Sequence, residues 1–208
     1  MAIQLVLCDL REEVVNGWKE QFHAHPEVDI RRGDILETDV DALVIPGNAF
    51  GFLDHGLQLS VCERLGWSIQ DRLRDIATRR PHGELLVGEA CIVPVPADVE
   101  PRFKYLVYTC LYRTPKNVAA SVNAFLASRG VFLALGETGA GEIGSIAFPG
   151  IGTGSCGYEP RISARQIRYA YELYTGDRHL TDKNLTQLTR RERKLRSLPR
   201  RSAPQAKE

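Results

Sequence analysis

Residues 42–56 read Ala-Leu-Val-Ile-Pro-Gly-Asn-Ala-Phe-Gly-Phe-Leu-Asp-His-Gly, an apolar run that passes straight into a glycine-rich loop. Ala42-Leu43-Val44-Ile45 is as fully apolar as a strand buried on both faces should be. Leu57 to Leu65 follows with helical spacing, and a second helix, Ile69 to Ala77, is expected beyond a break near Gly66. A strand that feeds a helix through glycines offers free backbone N–H groups and a helix N-terminus. Those are the parts of a phosphate cradle. Neither G-K-[ST] nor G-x-G-x-x-G is present in residues 42–56, so this loop is not one of the common nucleotide fingerprints.

Working outward, strands and helices alternate. Ile3 to Cys8 reads as a strand, and Glu12 to Phe22 as a helix with Val14, Val15, Trp18 and Phe22 on one face, Asp9 lying in its N-cap region. Val28 to Arg31 is a second strand. Ala90 to Val95 and Tyr105 to Thr109 are two more. Asn117 to Ser128 is a helix, and Val131 to Leu135 either continues it or begins another segment. Ile143 to Pro149 is a last buried strand, and Pro160 to Tyr174 a closing helix with proline in its first turn. This alternation predicts an α/β fold, a mostly parallel sheet between helical layers.

In such sheets ligands gather beyond the carboxyl ends of the strands. A second glycine-rich loop, Pro149 to Tyr158, occupies that position after the last strand, with four glycines among residues 150–157. Glycine is costly there unless close approach or positive φ is needed. Two such loops suggest a diphosphate held between them. No lysine lies in either, so backbone dipoles would meet its charge. Gly33-Asp34-Ile35, after the second strand, is by itself an ordinary turn.

The composition excludes other classes. The chain has 208 residues, 43% hydrophobic and 25% charged, as an ordinary globular protein has. No apolar run approaches the ~18 residues of a membrane span, and Met1 to Leu10 has no leading basic residues, so a cytoplasmic protein without membrane contact is expected. Cys8, Cys62, Cys91, Cys110 and Cys156 show no metal-binding spacing, nor do the five histidines, and no metal or cofactor is expected. The formal net charge of +1 hides a split: residues 178–208 hold ten Lys+Arg against three Asp+Glu, while residues 1–177 hold 17 against 23. The chain therefore divides into a domain over 1–177 and a basic tail over 178–208. A short helix from Thr181 to Leu198 is possible in the tail, and the rest is expected to be disordered. Arg190, Arg191, Arg193, Lys194 and Arg196 would form either a solubilising surface or an arm for nucleic acid.

The ordered set Gly33-Asp34-Ile35, Val40 to Val44 leading into Gly47-Asn48-Ala49, Val87 to Ala90, and Ala147 to Gly154 resembles the macro domain, an ADP-ribose-binding α/β/α family. Asn48 to Asp54, Gly66-Trp67 and Arg165-Gln166-Ile167 resemble its bacterial and phage-associated branch. The resemblance covers roughly residues 1–175. It implies a three-layer fold with a mixed, mostly parallel sheet, and ADP-ribose or an ADP-ribosylated macromolecule as partner. It implies that Asp34 accepts the adenine amino group while the Ile35 N–H meets a ring nitrogen, and that Asn48 lies near the distal ribose. Gly51, Phe52, Leu53, Gly56 and Leu57 on one side, and Gly150, Ile151, Gly152, Thr153, Gly154, Ser155, Cys156 and Gly157 on the other, would enclose the diphosphate. Tyr158 would pack against the ligand.

The sequence departs from the hydrolytic members of the family. His55 stands in place of a glycine, and Gln58 in place of the aspartate thought to orient water; a glutamine is no general base. Gly152 stands where serine is frequent, and Cys156 where an aromatic usually stacks. Asp54 or His55 could act as base with Asn48 beside them, since a histidine side chain titrates near neutral pH. The alternative for both is a turn former or helix cap. Nothing in the sequence supplies a base for Cys156. Three functions stay open: an ADP-ribosyl hydrolase with a non-standard loop, a non-catalytic ADP-ribose reader, and a nucleic-acid or assembly protein working through its tail.

Overall fold

The computed structural model describes residues 3–96, 102–137, 143–179 and 181–197. Six strands form one sheet: β1 (Gln4–Asp9), β2 (Asp29–Arg32), β3 (Ala42–Asn48), β4 (Ala90–Pro94), β5 (Tyr105–Tyr112) and β6 (Ser145–Phe148), in the order β2-β1-β6-β3-β5-β4. Every pairing is parallel except that of the edge strand β4 with β5. The fold is the expected three-layer α/β/α arrangement.

The alternation of side chains along the strands builds two cores. Leu5 and Leu7 face α1 (Glu12–Gln21), α4 (Asn123–Glu137) and α5 (Pro160–Thr175). Val6, Leu43 and Ile45 face α2 (Gly56–Leu65), α3 (Ser68–Thr78) and a 3-10 turn at Ile35–Glu37. Trp18 is 1% exposed, and side chains of this kind each stabilise the fold by ~1.5–3 kcal/mol.

The feet of the central strands are joined through Asp41. Its Oδ2 accepts hydrogen bonds from Gly144 N (2.9 Å), Ser145 N (2.9 Å) and Ser145 Oγ (3.0 Å). Its carbonyl accepts from Lys104 N and Tyr105 N (2.9 and 3.0 Å).

Three expectations need adjustment. Residues 131–135 continue α4, but that helix starts at Asn123 and not at Asn117. Asn117 Oδ1 accepts from Ala119 N and Ser121 Oγ from Asn123 N, so local turns take the place of helical hydrogen bonds. Asp9 does not cap α1, whose N-cap is Arg11; its carboxylate turns instead toward Gly150 N (3.2 Å). The basic helix runs over α6 (Leu185–Arg196) and is not a free arm. Leu195 is buried, and Arg165 and Gln166 of α5 donate to the carbonyls of Lys194 and Leu195. The tail beyond residue 197 lies outside the described residues. Among the described residues no helix is long and apolar enough to cross a membrane.

Candidate functional site

β1 leads to β2 on one side of β6, and β3 faces β5 on the other, so the strand order reverses over β6. A crevice is expected above the carboxyl ends at such a reversal. A cavity of about 420 Å³ lies there, within the usual range for small-ligand sites. Each parallel strand contributes to it: Cys8 and Asp9 end β1, Gly33 to Leu36 follow β2, Pro46 lies near the end of β3, Leu111 and Tyr112 end β5, and Pro149, Gly150, Gly152 and Gly154 to Cys156 follow β6.

The cavity walls follow from local folding. Asp34 is exposed, and its Oδ1 caps the 3-10 turn by accepting from Leu36 N at 2.9 Å, with Ile35 buried beside it. The glycine loop after β6 is turned by Gly152 at φ +69°, where a Cβ would also press on the Tyr158 ring. Thr153 Oγ1 donates to Gly150 O at 2.8 Å. Arg11 pins this loop: Nη1 donates to Thr153 O (2.8 Å), Nη2 to Thr153 Oγ1 (2.6 Å) and Nε to Asp9 Oδ1 (3.1 Å). Arg11 thereby brings a permanent positive charge to the cavity wall. The opposite wall is the N-terminus of α2. Its N-cap, His55, makes no side-chain cap, and among the described residues no side chain accepts from the first-turn N–H groups of Gly56 to Gln58.

Gln58 and Tyr112 form the floor. Gln58 is 6% exposed; its Nε2 donates to Pro46 O at 2.7 Å, and its buried Oε1 has no hydrogen-bond partner among the described residues. Burial pushes the Tyr112 phenol above its ordinary range, with the Gln58 amide opposing. A hydrogen-bonded chain reaches the floor from solvent: Asp54 Oδ1 to His55 Nδ1 (2.7 Å), and His55 Nε2 to Tyr112 Oη (3.2 Å). In the tautomer with its proton on Nδ1, the ring donates to Asp54 and Nε2 accepts from the phenol. Burial also raises the Cys156 thiol, opposed by the Ser155 hydroxyl, so Cys156 is a poor nucleophile.

Of the residues singled out from sequence, Asp34, Ile35, His55, Gly56, Leu57, Gly150, Gly152, Gly154, Ser155 and Cys156 line the cavity. The others sit elsewhere, for physical reasons. Asn48 is 3% exposed and its amide is spent inside its own loop: Nδ2 donates to Phe52 O, and Oδ1 accepts from Phe50 N and Phe52 N. Gly51, Phe52 and Leu53 turn away to α3, where Leu53 N meets Gln70 Oε1 and the Arg74 guanidinium lies over the Phe52 ring. Asp54 stands outside the cavity and reaches it through His55. Ile151, Thr153 and Gly157 belong to the glycine loop without lining the cavity: Ile151 is buried in the core, Thr153 is held by Arg11, and Gly157 is exposed. Tyr158 lies under it, 3% exposed, with its hydroxyl 2.7 Å from Ser121 Oγ. The aromatic at the cavity is Tyr112. Sequence reading took Asp9 only as a helix N-cap and passed over Arg11 and Tyr112 as cavity residues.

Solved structures share this architecture. The macrodomain of Mycobacterium tuberculosis DarG aligns with a TM-score of 0.56 at 20% identity, over 69% of this chain and 88% of its own. Thermosipho africanus DarTG in complex with ADP-ribose aligns at 0.55 and 18% identity, over 69% of this chain and 38% of its own. A Trypanosoma brucei macrodomain in complex with ADP-ribose aligns at 0.53 and 19% identity, over 71% and 56%. The chain has the macrodomain fold. No family model matches its sequence. Within the macrodomain fold, the cavity described above occupies the strand-end crevice between the β1 and β3 halves of the sheet.

Proposed function

We propose that the cavity binds ADP-ribose. The observation that carries the reading is the pairing of two unlike walls in one crevice. One end holds a carboxylate beside an apolar side chain, Asp34 and Ile35, suited to an amino-bearing base. The middle holds an uncapped helix N-terminus facing a glycine loop backed by Arg11, suited to a diphosphate. Two of the solved structures with this fold were determined with ADP-ribose bound. Asp34 meets the base with Oδ2, since Oδ1 is engaged by Leu36 N.

A second reading adds hydrolysis, the release of ADP-ribose from a modified macromolecule. The Asp54–His55–Tyr112 chain favours it, because a carboxylate-oriented imidazole reaching a cavity is the usual form of a general base. The buried Gln58 Oε1 would orient a water or hydroxyl without taking its proton.

Calorimetric titration with ADP-ribose tests the first reading. A micromolar Kd, about −8 kcal/mol, is expected. Asp34→Asn keeps an oxygen for the Leu36 cap but removes the charge, and should weaken binding about tenfold with little change in melting temperature. Absence of binding at millimolar ligand would overturn the reading. His55→Ala separates the two functions: loss of release with binding kept supports hydrolysis, while no release by the unmodified chain leaves a reader.

A further inference from the structure

We propose that the groove between α5 and α6 is a second binding site, shaped for the phosphodiester backbone of a nucleic-acid strand. The groove encloses about 700 Å³ and is lined by Arg165, Arg168, Arg178, Arg190, Arg191 and Lys194. It exists because α6 is docked and capped. Asn184 Oδ1 accepts from Gln187 N at the start of the helix, and Arg165 Nη1 donates to Lys194 O and Ser197 O at its end. A basic segment that would repel itself in solution is thus held against a second row of cations.

The charge is not balanced locally. Two carboxylates serve the six cations: Asp182 pairs with Arg191, while Glu172 takes Arg168 (3.4 Å) and Arg178. Arg178 and Arg191 are further fixed over the Tyr169 ring, at 4.7 and 5.8 Å. Among the described residues, Arg165, Arg190 and Lys194 have no carboxylate within ion-pair distance. Burial, with Arg168 and Arg161 nearby, lowers the pKa of Arg165 despite the opposing charges of Glu20 and Glu159. Among the described residues the buried Nε of Arg168 has no hydrogen-bond acceptor. A buried donor of this kind calls for an acceptor from outside.

Phosphate supplies what is missing. It offers charge and paired oxygens that match the guanidinium fork. The cations repeat along both helices, Arg165 with Arg168 and Arg190 with Lys194, about 5–6 Å apart as helical neighbours are. Repeated cations favour a repeated phosphate over one isolated anion. The groove is concave, which suits a strand and not the plane of a lipid surface. The site lies outside the ADP-ribose cavity and stands whether or not that cavity binds ADP-ribose.

Fluorescence anisotropy of the full chain with a labelled single-stranded oligonucleotide tests this. Binding should be seen at about 50 mM salt, with log K falling linearly against log salt concentration. Arg190→Ala with Lys194→Ala removes two phosphate contacts and should make the slope shallower by about 1.4, at about 0.7 per phosphate of single strand. Neither side chain makes a hydrogen bond or ion pair among the described residues, so the fold should survive, and an unchanged melting curve checks that. ADP-ribose titration of the double variant separates this site from the first. No binding at low salt, an unchanged slope in the variant, or equal competition by polyglutamate or by anionic vesicles would each overturn the proposal, the last two in favour of an acidic protein or a membrane surface.

Discussion

Replacing Arg11 by alanine is expected to weaken ADP-ribose binding about 30-fold. Two hydrogen bonds from its guanidinium, to Thr153 O (2.8 Å) and Thr153 Oγ1 (2.6 Å), carry the glycine loop across to the end of β1. A hydrogen bond from a charged donor is worth ~1.5–3 kcal/mol when buried. The Arg11 side chain is 39% exposed, so solvent lowers the figure to about 1 kcal/mol each, or about 2 kcal/mol together. If that ordering is lost and must be recovered when ligand binds, 2 kcal/mol corresponds to a factor of about 30. Asp9 still holds Gly150 N in the variant, so the loop loosens without detaching. Arg11→Lys separates charge from geometry. It keeps the cation but loses the planar fork, and should recover less than half of the lost affinity. The assay is calorimetric titration with parallel thermal melts. Binding within about twofold of the unchanged protein in Arg11→Ala, or full recovery by lysine, would refute the argument that the guanidinium acts by pinning the loop.

Acid should loosen the packing of α5 through Glu172. This carboxylate is 6% exposed; burial raises its pKa, but Arg178, Arg168 and His25 outweigh burial and hold it below the ordinary value. A pKa depressed in the folded state contributes stability above the unfolded value, ~4.3, and loses it as pH falls through the folded value. Urea midpoints from pH 7 to pH 3 should therefore fall more for the unchanged protein than for Glu172→Gln, which is itself expected to cost about 3 kcal/mol at pH 7; parallel curves would count against this. Gly47→Ala places a Cβ against the Tyr108 hydroxyl, which is hydrogen-bonded to Asn48 O at 2.7 Å in a closed core. Overpacking of about 3 kcal/mol should lower the melting temperature by on the order of 10 °C, and an unchanged melt would show that the ring can move. Thiol labelling at pH 8 should be slow at every cysteine, since burial lifts Cys91 and Cys110 to about 12, Cys8 to about 11, and raises Cys62 and Cys156 as well. Rapid reaction of Cys156 would reopen its case as a nucleophile.

The layers were legible because hydrophobic period and chain order agree. Leu5, Leu7 and Val44 sit in one core and Val6, Leu43 and Ile45 in the other, as strand alternation requires. The start of α4 was not legible, because Asn117 and Ser121 fit a helix as well as a turn and only their hydrogen bonds decide. The two glycine loops border the crevice, but loop composition does not say which side chains face it. Asn48 and Tyr158 are polar or aromatic in the expected places, yet both are drawn inward by hydrogen bonds that arise only after folding. The role of Gln58 is hidden for the same reason, since its unpartnered oxygen depends on Pro46 taking the amide nitrogen.

Asp41 gives the molecule a division of labour. Its carboxylate and carbonyl tie the start of β3 to the starts of β5 and β6, at the end of the sheet away from the cavity. The strands are therefore registered from below as well as through the Asp9–Gly150 contact above. Exposed loop positions above, such as Gly154 and Ser155, can be exchanged while the strands stay aligned. New chemistry can be tried at the rim of this sheet by altering a few loop residues, and a failed trial there costs the protein a ligand without costing it the fold.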